Sequence, residues 1–260
     1  MDLVDSHCHI DFEPLGSNTK EVLQSALNNS VKTLLCVSVN MRDFPKVRKL
    51  ADEHENVFAS VGVHPNEQDE AETLAETLVD HATSSDRVVA IGETGLDYFR
   101  SEGNLDWQRK RFSQHITAAK TVDLPLIIHM RDATEDTLKM MKDEGADQPG
   151  GVMHCFAEDW PVAKLALDLG FYISFSGIVT FKNALDLKEV ARNVPEDRML
   201  VETDSPYLAP VPFRGKVNQP AYVLHTAECI AELRSETVEH IAEVTTNNFF
   251  NLFKKTSRIF

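Results

Sequence analysis

The sequence is poor in the features that mark membrane and secreted proteins. No run of apolar residues approaches the roughly 20 that a transmembrane helix requires. The four cysteines include no CxxC pair, and the first strand pattern begins too early for a signal peptide to precede it. This cysteine usage indicates a reducing compartment rather than a disulfide scaffold. We therefore expect a cytoplasmic protein that does not associate with a membrane.

Basic residues are also scarce. Lysine and arginine together number 26, against 41 aspartates and glutamates, so the formal net charge is −15. A surface with this charge repels phosphate backbones, which argues against nonspecific adhesion to nucleic acid. Charge alone therefore favours a small-molecule substrate. A polyanionic substrate would need metal ions and a local basic rim to hold it.

The overall composition is typical of a soluble globular protein, with 42% apolar and 26% charged residues. A chain of 260 residues can bury one substantial core, and no linker or low-complexity stretch interrupts this one. We expect a single domain over residues 1–260 that acts as a monomer, without an obligate protein partner.

Apolar, β-branched runs alternate with segments of helical spacing along the chain. The runs predict eight strands, at residues 3–5, 33–39, 57–63, 88–91, 126–128, 151–153, 171–176 and 199–201. Strands separated by helices in this way favour the α/β class and a TIM (β/α)8 barrel. The segment 236–253 predicts an extra C-terminal helix. An open doubly wound sheet is the alternative, because a sequence shows alternation but not closure.

Side chains of metal-binding type follow the apolar part of five of these runs. They are His7, His9, Glu93, His129, His154 and Asp204. In barrels and open α/β sheets the carboxyl ends of the strands meet at one mouth, where such enzymes build their sites. We therefore expect the six side chains to converge in one metal-binding cleft.

The alternation of side chains along a strand refines this expectation. It places His7 and His9 on one face together with Asp5, and Cys8 on the opposite face. By the same count, the cysteine that follows His154 points away from it. Neither cysteine is needed as a ligand.

The chemistry of the six residues constrains the metal. Imidazole and carboxylate without thiolate favour Zn, Mn, Co, Ni or Fe, whereas a pure Mg or Ca site would usually be all oxygen. Six ligands are too many for one tetrahedral zinc, but they suit two ions about 3.5–4 Å apart that share a carboxylate. Glu93 is the natural bridge, since it stands between the two histidine pairs in chain order. In a barrel, Asp204 would close back beside His7 and His9, where it could also take a proton.

Longer motifs carry a family resemblance. DSHCHID, GVHP, GETGLDY, IIHMRDA, MHCF and VETDSPYLAP together resemble the TatD family of metal-dependent hydrolases, within the amidohydrolase-like TIM-barrel group, and DLGFYISFSGIVTFKNA and PVPFRGKVNQP look most like its YcfH-like bacterial branch. The resemblance extends over about residues 2 to 253. It implies two divalent ions per chain, drawn from Zn, Mn, Mg, Co or Ni. One would be held by His7, His9, Glu93 and Asp204, and the other by Glu93, His129 and His154.

The resemblance also implies an activity. TatD-like proteins commonly act as metal-dependent deoxyribonucleases of the 3′–5′ exonuclease type, so DNA is the expected substrate. In this scheme a metal-bridging hydroxide attacks phosphorus, Glu93 is catalytic as the bridge between the metals, and Asp204 is the general base. The alternative is a small-molecule amidohydrolase or phosphoesterase that uses the same two-metal site. A binding module fits less well, because an open dinuclear site is hard to justify as mere structure.

Three further side chains are candidates for supporting roles. We interpret His64, in GVHP, as a catalytic contact to phosphate or to the transition state, with a structural histidine as the alternative. Arg131 is a second candidate for binding phosphate, with an internal salt bridge to Asp132 or to the shell of Glu93 as the alternative. Glu202 is interpreted as support for a ligand rather than as a third-metal ligand.

The loop after the fourth strand carries an aromatic and basic segment. Tyr98, Phe99 and Arg100 follow the GLD of GETGLDY. Such residues can stack on a base and hold phosphate, as in single-strand binders. Packing within the loop is the alternative.

Overall fold

A computed structural model of the protein describes residues 1–68 and 72–258. Eight parallel strands form one sheet in chain order, each paired with the next. They are β1 (Leu3–Cys8), β2 (Val31–Cys36), β3 (Val57–Val61), β4 (Val88–Asp97), β5 (Leu126–Arg131), β6 (Gly151–Met153), β7 (Tyr172–Phe175) and β8 (Met199–Val201). All eight strands predicted from the apolar runs are present.

Helices connect successive strands, and the last two of those named here follow β8. They are α1 (Thr19–Asn28), α2 (Phe44–Glu53), α3 (Ala75–Thr83), α4 (Asp106–Val122), α5 (Thr134–Asp143), α6 (Trp160–Asp168), α7 (Leu185–Asn193), α8 (Val223–Arg234) and α9 (Val238–Leu252). The last of these confirms the extra C-terminal helix. Over residues 1–68 and 72–258, no helix combines the length and the apolarity that a membrane crossing requires.

The edges of the sheet meet between β1 and the segment after β8. Cys8 and Ser205 form a parallel bridge. The amide of His9 donates to the carbonyl of Ser205 over 2.8 Å, and the amide of Asp204 donates to the carbonyl of His7 over 2.9 Å. These contacts nearly close the barrel. The TIM-barrel prediction is therefore confirmed, and the open-sheet alternative is wrong.

The barrel interior is apolar at its amino-terminal end. One buried cluster contains Val4, Leu35, Phe58, Val89, Ile127, Val152 and Leu200, each from a different strand. Residues from seven strands meet in this way only inside the barrel. Phe249 and Phe253 of the α9 segment belong to the same cluster and close that end. The carboxyl ends of the strands are left as the polar mouth.

Strand β4 is longer than its sequence pattern predicts. The apolar run ends at Ile91, but the strand continues through Glu93 to Asp97. Gly92 and Gly95 lie in this extension with φ angles of 147° and 135°. A Cβ atom at Gly92 would lie 2.7 Å from the carbonyl oxygen of Ile127, so only glycine allows β5 to approach this closely. Because glycine has a low strand propensity, these two glycines prevent a propensity-based prediction from including the second half of β4.

Candidate metal centre at the mouth of the barrel

The six candidate ligands converge at the mouth. His7 lies within β1 and His9 directly follows it, Glu93 lies in the middle of β4, and His129 lies within β5. His154 is the first residue after β6, and Asp204 follows β8 by three residues. Glu93 departs most from its expected place, since its strand continues for four more residues.

The first group of ligands surrounds one point. The Nε2 atoms of His7 and His9 are 3.2 Å apart. Asp204 Oδ1 lies 3.7 Å from Nε2 of His7 and 3.4 Å from Nε2 of His9. Glu93 Oε2 lies 3.3 Å and 3.8 Å from the same two nitrogens. Ligand atoms that share one ion with bonds of about 2.0–2.1 Å stand roughly 3–3.5 Å apart, so this spacing fits a cation between them.

The second group of ligands faces the other oxygen of Glu93. Oε1 lies 3.1 Å from His129 Nδ1 and 2.8 Å from His154 Nε2. The carboxylate of Glu93 therefore presents one oxygen to each histidine pair. This is the geometry that a carboxylate bridge between two ions needs.

Three of the four histidines are fixed by the ring nitrogen that faces away from Glu93. His9 Nδ1 donates to the carbonyl of Val37 over 2.9 Å. His129 Nε2 lies 3.1 Å from Asp97 Oδ2, and His154 Nδ1 lies 3.3 Å from Glu202 Oε1. An ionised carboxylate can only accept, so in the neutral ring the outer nitrogen carries the proton and the inner one offers its lone pair to a cation. Metal-binding histidines are held in this way by an outer carboxylate or carbonyl.

Asp97 was missed by the sequence reasoning. Its Oδ1 accepts from the amides of Phe99 and Arg100 over 3.0 and 2.9 Å, while Oδ2 accepts from His129 and from Asn66. Burial opposes its ionisation, but these hydrogen bonds lower the pKa of Asp97 well below its usual range. The alternation of β4 could have found it, because Asp97 lies four residues after Glu93 and shares its face.

Glu202 occupies a comparable position beside His154. It is fully buried, and its Oε1 also accepts from the amide of Cys155 over 2.8 Å. This contact suits a carboxylate that orients a ligand. The sulfur of Cys155 itself lies 3.3 Å from the hydroxyl of Ser176.

The residues at the mouth fit a bound cation. His154 Nε2 is buried and lacks a hydrogen-bond partner, although Glu93 Oε1 is only 2.8 Å away, because the two groups are not aligned for a hydrogen bond. A buried nitrogen of this kind costs free energy unless something else satisfies it. Burial raises the pKa of Glu93, but the surrounding histidines, His154 foremost, lower it well below its usual range, so Glu93 is ionised. Ionised carboxylates, together with imidazoles that release a proton when a cation binds, form a donor set for divalent cations.

Asp204 is the most open of the carboxylates. Its side chain is 16% exposed, against 3% for Glu93. Burial raises its pKa, but a hydrogen bond from His9 and the charges of nearby histidines lower it overall. Asp204 is therefore ionised at neutral pH and can accept a proton from a group that enters the mouth.

His64 also lies against Glu93. Its Nε2 is 3.3 Å from Glu93 Oε1, and its ring meets that of His129 edge-on. Its Nδ1 accepts from the amide of Asn66 over 3.0 Å, so Nε2 carries the proton in the neutral ring. His64 is thus a hydrogen-bond donor directed into the site, which suits contact with a substrate oxygen better than metal ligation.

Arg131 stacks on an aromatic ring at the rim. Its guanidinium lies 3.9 Å from the centre of the Phe99 ring. The alternative pairing with Asp132 is absent, and across residues 1–68 and 72–258 the structure has no ion pair that uses Arg131. The charge of Arg131 remains available at the rim.

The end of β1 departs from simple alternation. Between Asp5 and Cys8 the register with β2 shifts by one residue. Ser6 consequently donates to the carbonyl of Val201 while the next side chain, His7, also reaches into the mouth. The carboxylate of Asp5 accepts hydrogen bonds from the hydroxyl and the amide of Thr203 instead. The expectation that Asp5 shares the face of His7 and His9 was wrong, whereas Cys8 points away as predicted and donates to Leu35.

Comparison with known proteins places these features in a family. A family model described as TatD related DNase matches residues 4–254. The chain is 47% identical over 256 residues to the uncharacterized metal-dependent hydrolase YcfH of Escherichia coli strain K12, covering 97% of this chain and 96% of that protein. It is 42% identical to the uncharacterized metal-dependent hydrolase YabD of Bacillus subtilis strain 168, with 97% and 99% covered.

A solved structure supports the same assignment. The chain superimposes on YJJV, a TatD homolog from Escherichia coli K12, with a TM-score of 0.87 and 28% identity. The match covers 97% of this chain and 98% of that one. The fold is therefore shared over nearly the whole length of both chains.

Proposed function

Because the chain belongs to the TatD-related DNase family and is a metal-dependent hydrolase, we propose that it is a deoxyribonuclease that cleaves DNA phosphodiester bonds as a 3′–5′ exonuclease. One observation carries the two-metal part of this proposal. The two oxygens of Glu93 face two different histidine pairs, at 3.3 Å from His7 and at 2.8 Å from His154.

Two ions would be held by the ligands that the site provides. His7, His9, Glu93 and Asp204 would hold one, and Glu93, His129 and His154 the other. When bound, such ions supply Lewis-acid stabilisation of the attacking and leaving oxygens of a phosphodiester. They would also offset the acidic surface locally, which a polyanionic substrate requires at a net charge of −15.

The side chains at the mouth of the barrel have separate roles in catalysis and binding. Asp204, ionised and partly exposed, accepts the proton of the attacking water as general base. His64 Nε2–H donates to a phosphoryl oxygen, where it stabilises charge that develops in the transition state. Arg131 contributes a cation at the rim for the phosphate backbone. Asp97 and Glu202 keep His129 and His154 in the tautomers that direct a lone pair inward.

A direct test compares substrates. The purified protein, loaded in turn with Zn, Mn, Mg, Co or Ni, is assayed on end-labelled single- and double-stranded DNA and on a panel of amides, lactones and phosphoesters. We expect metal-dependent loss of nucleotides from 3′ ends, and no loss with Glu93→Gln. Absence of DNA cleavage with every ion, together with turnover of an amide or lactone, would overturn the deoxyribonuclease proposal.

A small-molecule hydrolase is the second candidate. The observation that favours it is the net charge of −15, which disfavours approach of a long polyanion. The same two-metal site would then act on an uncharged or compact amide, lactone or phosphoester. In the substrate panel, this candidate predicts a kcat/KM for one of those compounds that exceeds the value for any oligonucleotide.

A further inference from the structure

We propose that Phe99 and Arg131 form a subsite that stacks an unpaired nucleobase and holds a phosphate beside the metal centre. The inference rests on the proposed deoxyribonuclease function and extends it to a place on the surface where substrate is recognised. Phe99, from the loop after β4, and Arg131, at the end of β5, build this subsite, which we call the Phe99 platform.

Phe99 is exposed to solvent, although large aromatic side chains are usually buried. The residue is 60% exposed. The Arg131 guanidinium covers one face at 3.9 Å from the ring centre and leaves the remainder to solvent. An aromatic ring backed by a cation presents a flat surface on which any base can stack. The neighbouring Tyr98 has no such role, because its hydroxyl is engaged by Asp136 and Arg109.

The platform is fixed to the metal centre through Asp97. One oxygen of this carboxylate accepts from the amides of Phe99 and Arg100, and the other accepts from His129. Arg131 follows His129 by two residues on β5, and its carbonyl accepts from the amide of Tyr98 over 2.9 Å. The backbones that carry the ring and the cation are therefore ordered before substrate arrives, which lowers the entropic cost of binding.

Charge points to the same ligand. Arg131 forms no ion pair with any part of the chain at residues 1–68 or 72–258, although the protein carries 41 acidic residues. A cation left unpaired beside an exposed ring matches a nucleotide, in which a base and an anionic phosphate are covalently linked. A purely apolar ligand would use the ring and leave the guanidinium without a function.

Binding of modified oligonucleotides tests the platform. The probe is a single-stranded oligodeoxynucleotide with phosphorothioate linkages to slow cleavage and 2-aminopurine near its 3′ end. A matched probe has an abasic residue at the same position. For the metal-loaded wild-type protein, we expect quenched 2-aminopurine fluorescence and about 10-fold tighter binding of the base-containing probe, the scale of one base–aromatic stack.

The variants separate the two components of the platform. Phe99→Ala should abolish the preference for the base-containing probe without changing affinity for the abasic one, and Phe99→Trp should restore it. Arg131→Gln should weaken binding of both probes and reduce the slope of log affinity against log salt by about 0.7. Leu165→Ala, an exposed apolar site on α6, is the matched control and should leave both affinities unchanged.

Two failures are distinguishable. If the wild type degrades DNA but Phe99→Ala keeps the wild-type preference between the probes, the platform is wrong and the deoxyribonuclease proposal stands. If the wild type neither binds nor degrades any oligonucleotide, the proposed function is wrong and the platform falls with it. Metal content and thermal unfolding of each variant establish that the fold and the ions are retained.

Discussion

Asp97 and His129 form a carboxylate–imidazole pair beside Glu93 in the candidate metal centre. The Oδ2 atom of Asp97 lies 3.1 Å from Nε2 of His129, and Nδ1 of the same ring lies 3.1 Å from Oε1 of Glu93. The ring is thus held between an outer carboxylate and the carboxylate proposed to bridge two ions. In the neutral ring, a proton on the outer nitrogen leaves the inner nitrogen free to act as a ligand.

Removing the outer carboxylate should weaken one ion. We expect Asp97→Ala to lower the affinity for the ion at His129 by 10- to 100-fold, the usual effect of losing such a partner, and to leave the ion at His7 and His9 in place. Titration with metal, followed by direct metal analysis, measures this. Asp106→Ala, an exposed carboxylate at the start of α4, is the control. Two ions bound with wild-type affinity in Asp97→Ala would contradict the positioning role.

The bridge makes a separate prediction. Glu93→Ala should disturb both ions, because each oxygen of the carboxylate faces a different histidine pair. His7→Ala should mainly empty one site, since its Nε2 lies against Glu93 Oε2, His9 and Asp204, the proposed ligands of a single ion. Metal analysis of reconstituted protein should approach two ions per chain for the wild type. If Glu93→Ala retained both, Glu93 would not be the bridge.

Asp204→Asn separates chemistry from binding. The amide keeps the size and some ligand capacity of the carboxylate but cannot accept the proton of water. We expect kcat to fall at least 10²-fold, the scale of general-base catalysis, with a much smaller change in substrate affinity. Metal content must be measured on the same preparations. Near-wild-type turnover with both ions bound would reduce Asp204 to a ligand, and Glu202 would be the next candidate for the base.

His115 predicts a pH dependence of folding that is independent of the metal centre. This buried residue accepts the amide of Val63 at Nε2 and donates from Nδ1 to the carbonyl of Arg111. Burial lowers its pKa from 6.5 to about 4. The neutral ring is therefore kept while the unfolded chain takes up a proton. Stability from this residue is complete above pH 6.5 and is lost as pH falls from 6.5 to 4.

The test compares variants in the absence of metal. Between pH 7 and pH 5, the wild type should lose about 2 kcal/mol more unfolding free energy than His115→Gln, which does not titrate. Urea unfolding at the two pH values measures the difference, and the contributions of other groups cancel between the two proteins. Equal losses in wild type and variant would mean that His115 is not held neutral.

The sequence by itself determined the chemistry and the order of the parts. His7, His9, His129 and His154 follow apolar runs, and local propensity together with parallel-strand geometry suffices to predict that such residues meet at one mouth. The length and order of the runs predicted the barrel and its C-terminal helix. These features depend on each segment separately, so they can be read without knowing how the segments touch.

Only the tertiary structure decided in which direction the side chains of the site point. Closure depends on the bridge between Cys8 and Ser205, which no local pattern encodes. The register shift in β1 turns Asp5 away from the face of His7 and His9, and the glycines of β4 carry the strand through Glu93 to Asp97. Which nitrogen of a histidine faces inward depends on a carboxylate or carbonyl from another strand. Contacts of this kind arise from register and packing between segments far apart in the chain, and side-chain alternation within one strand cannot specify them.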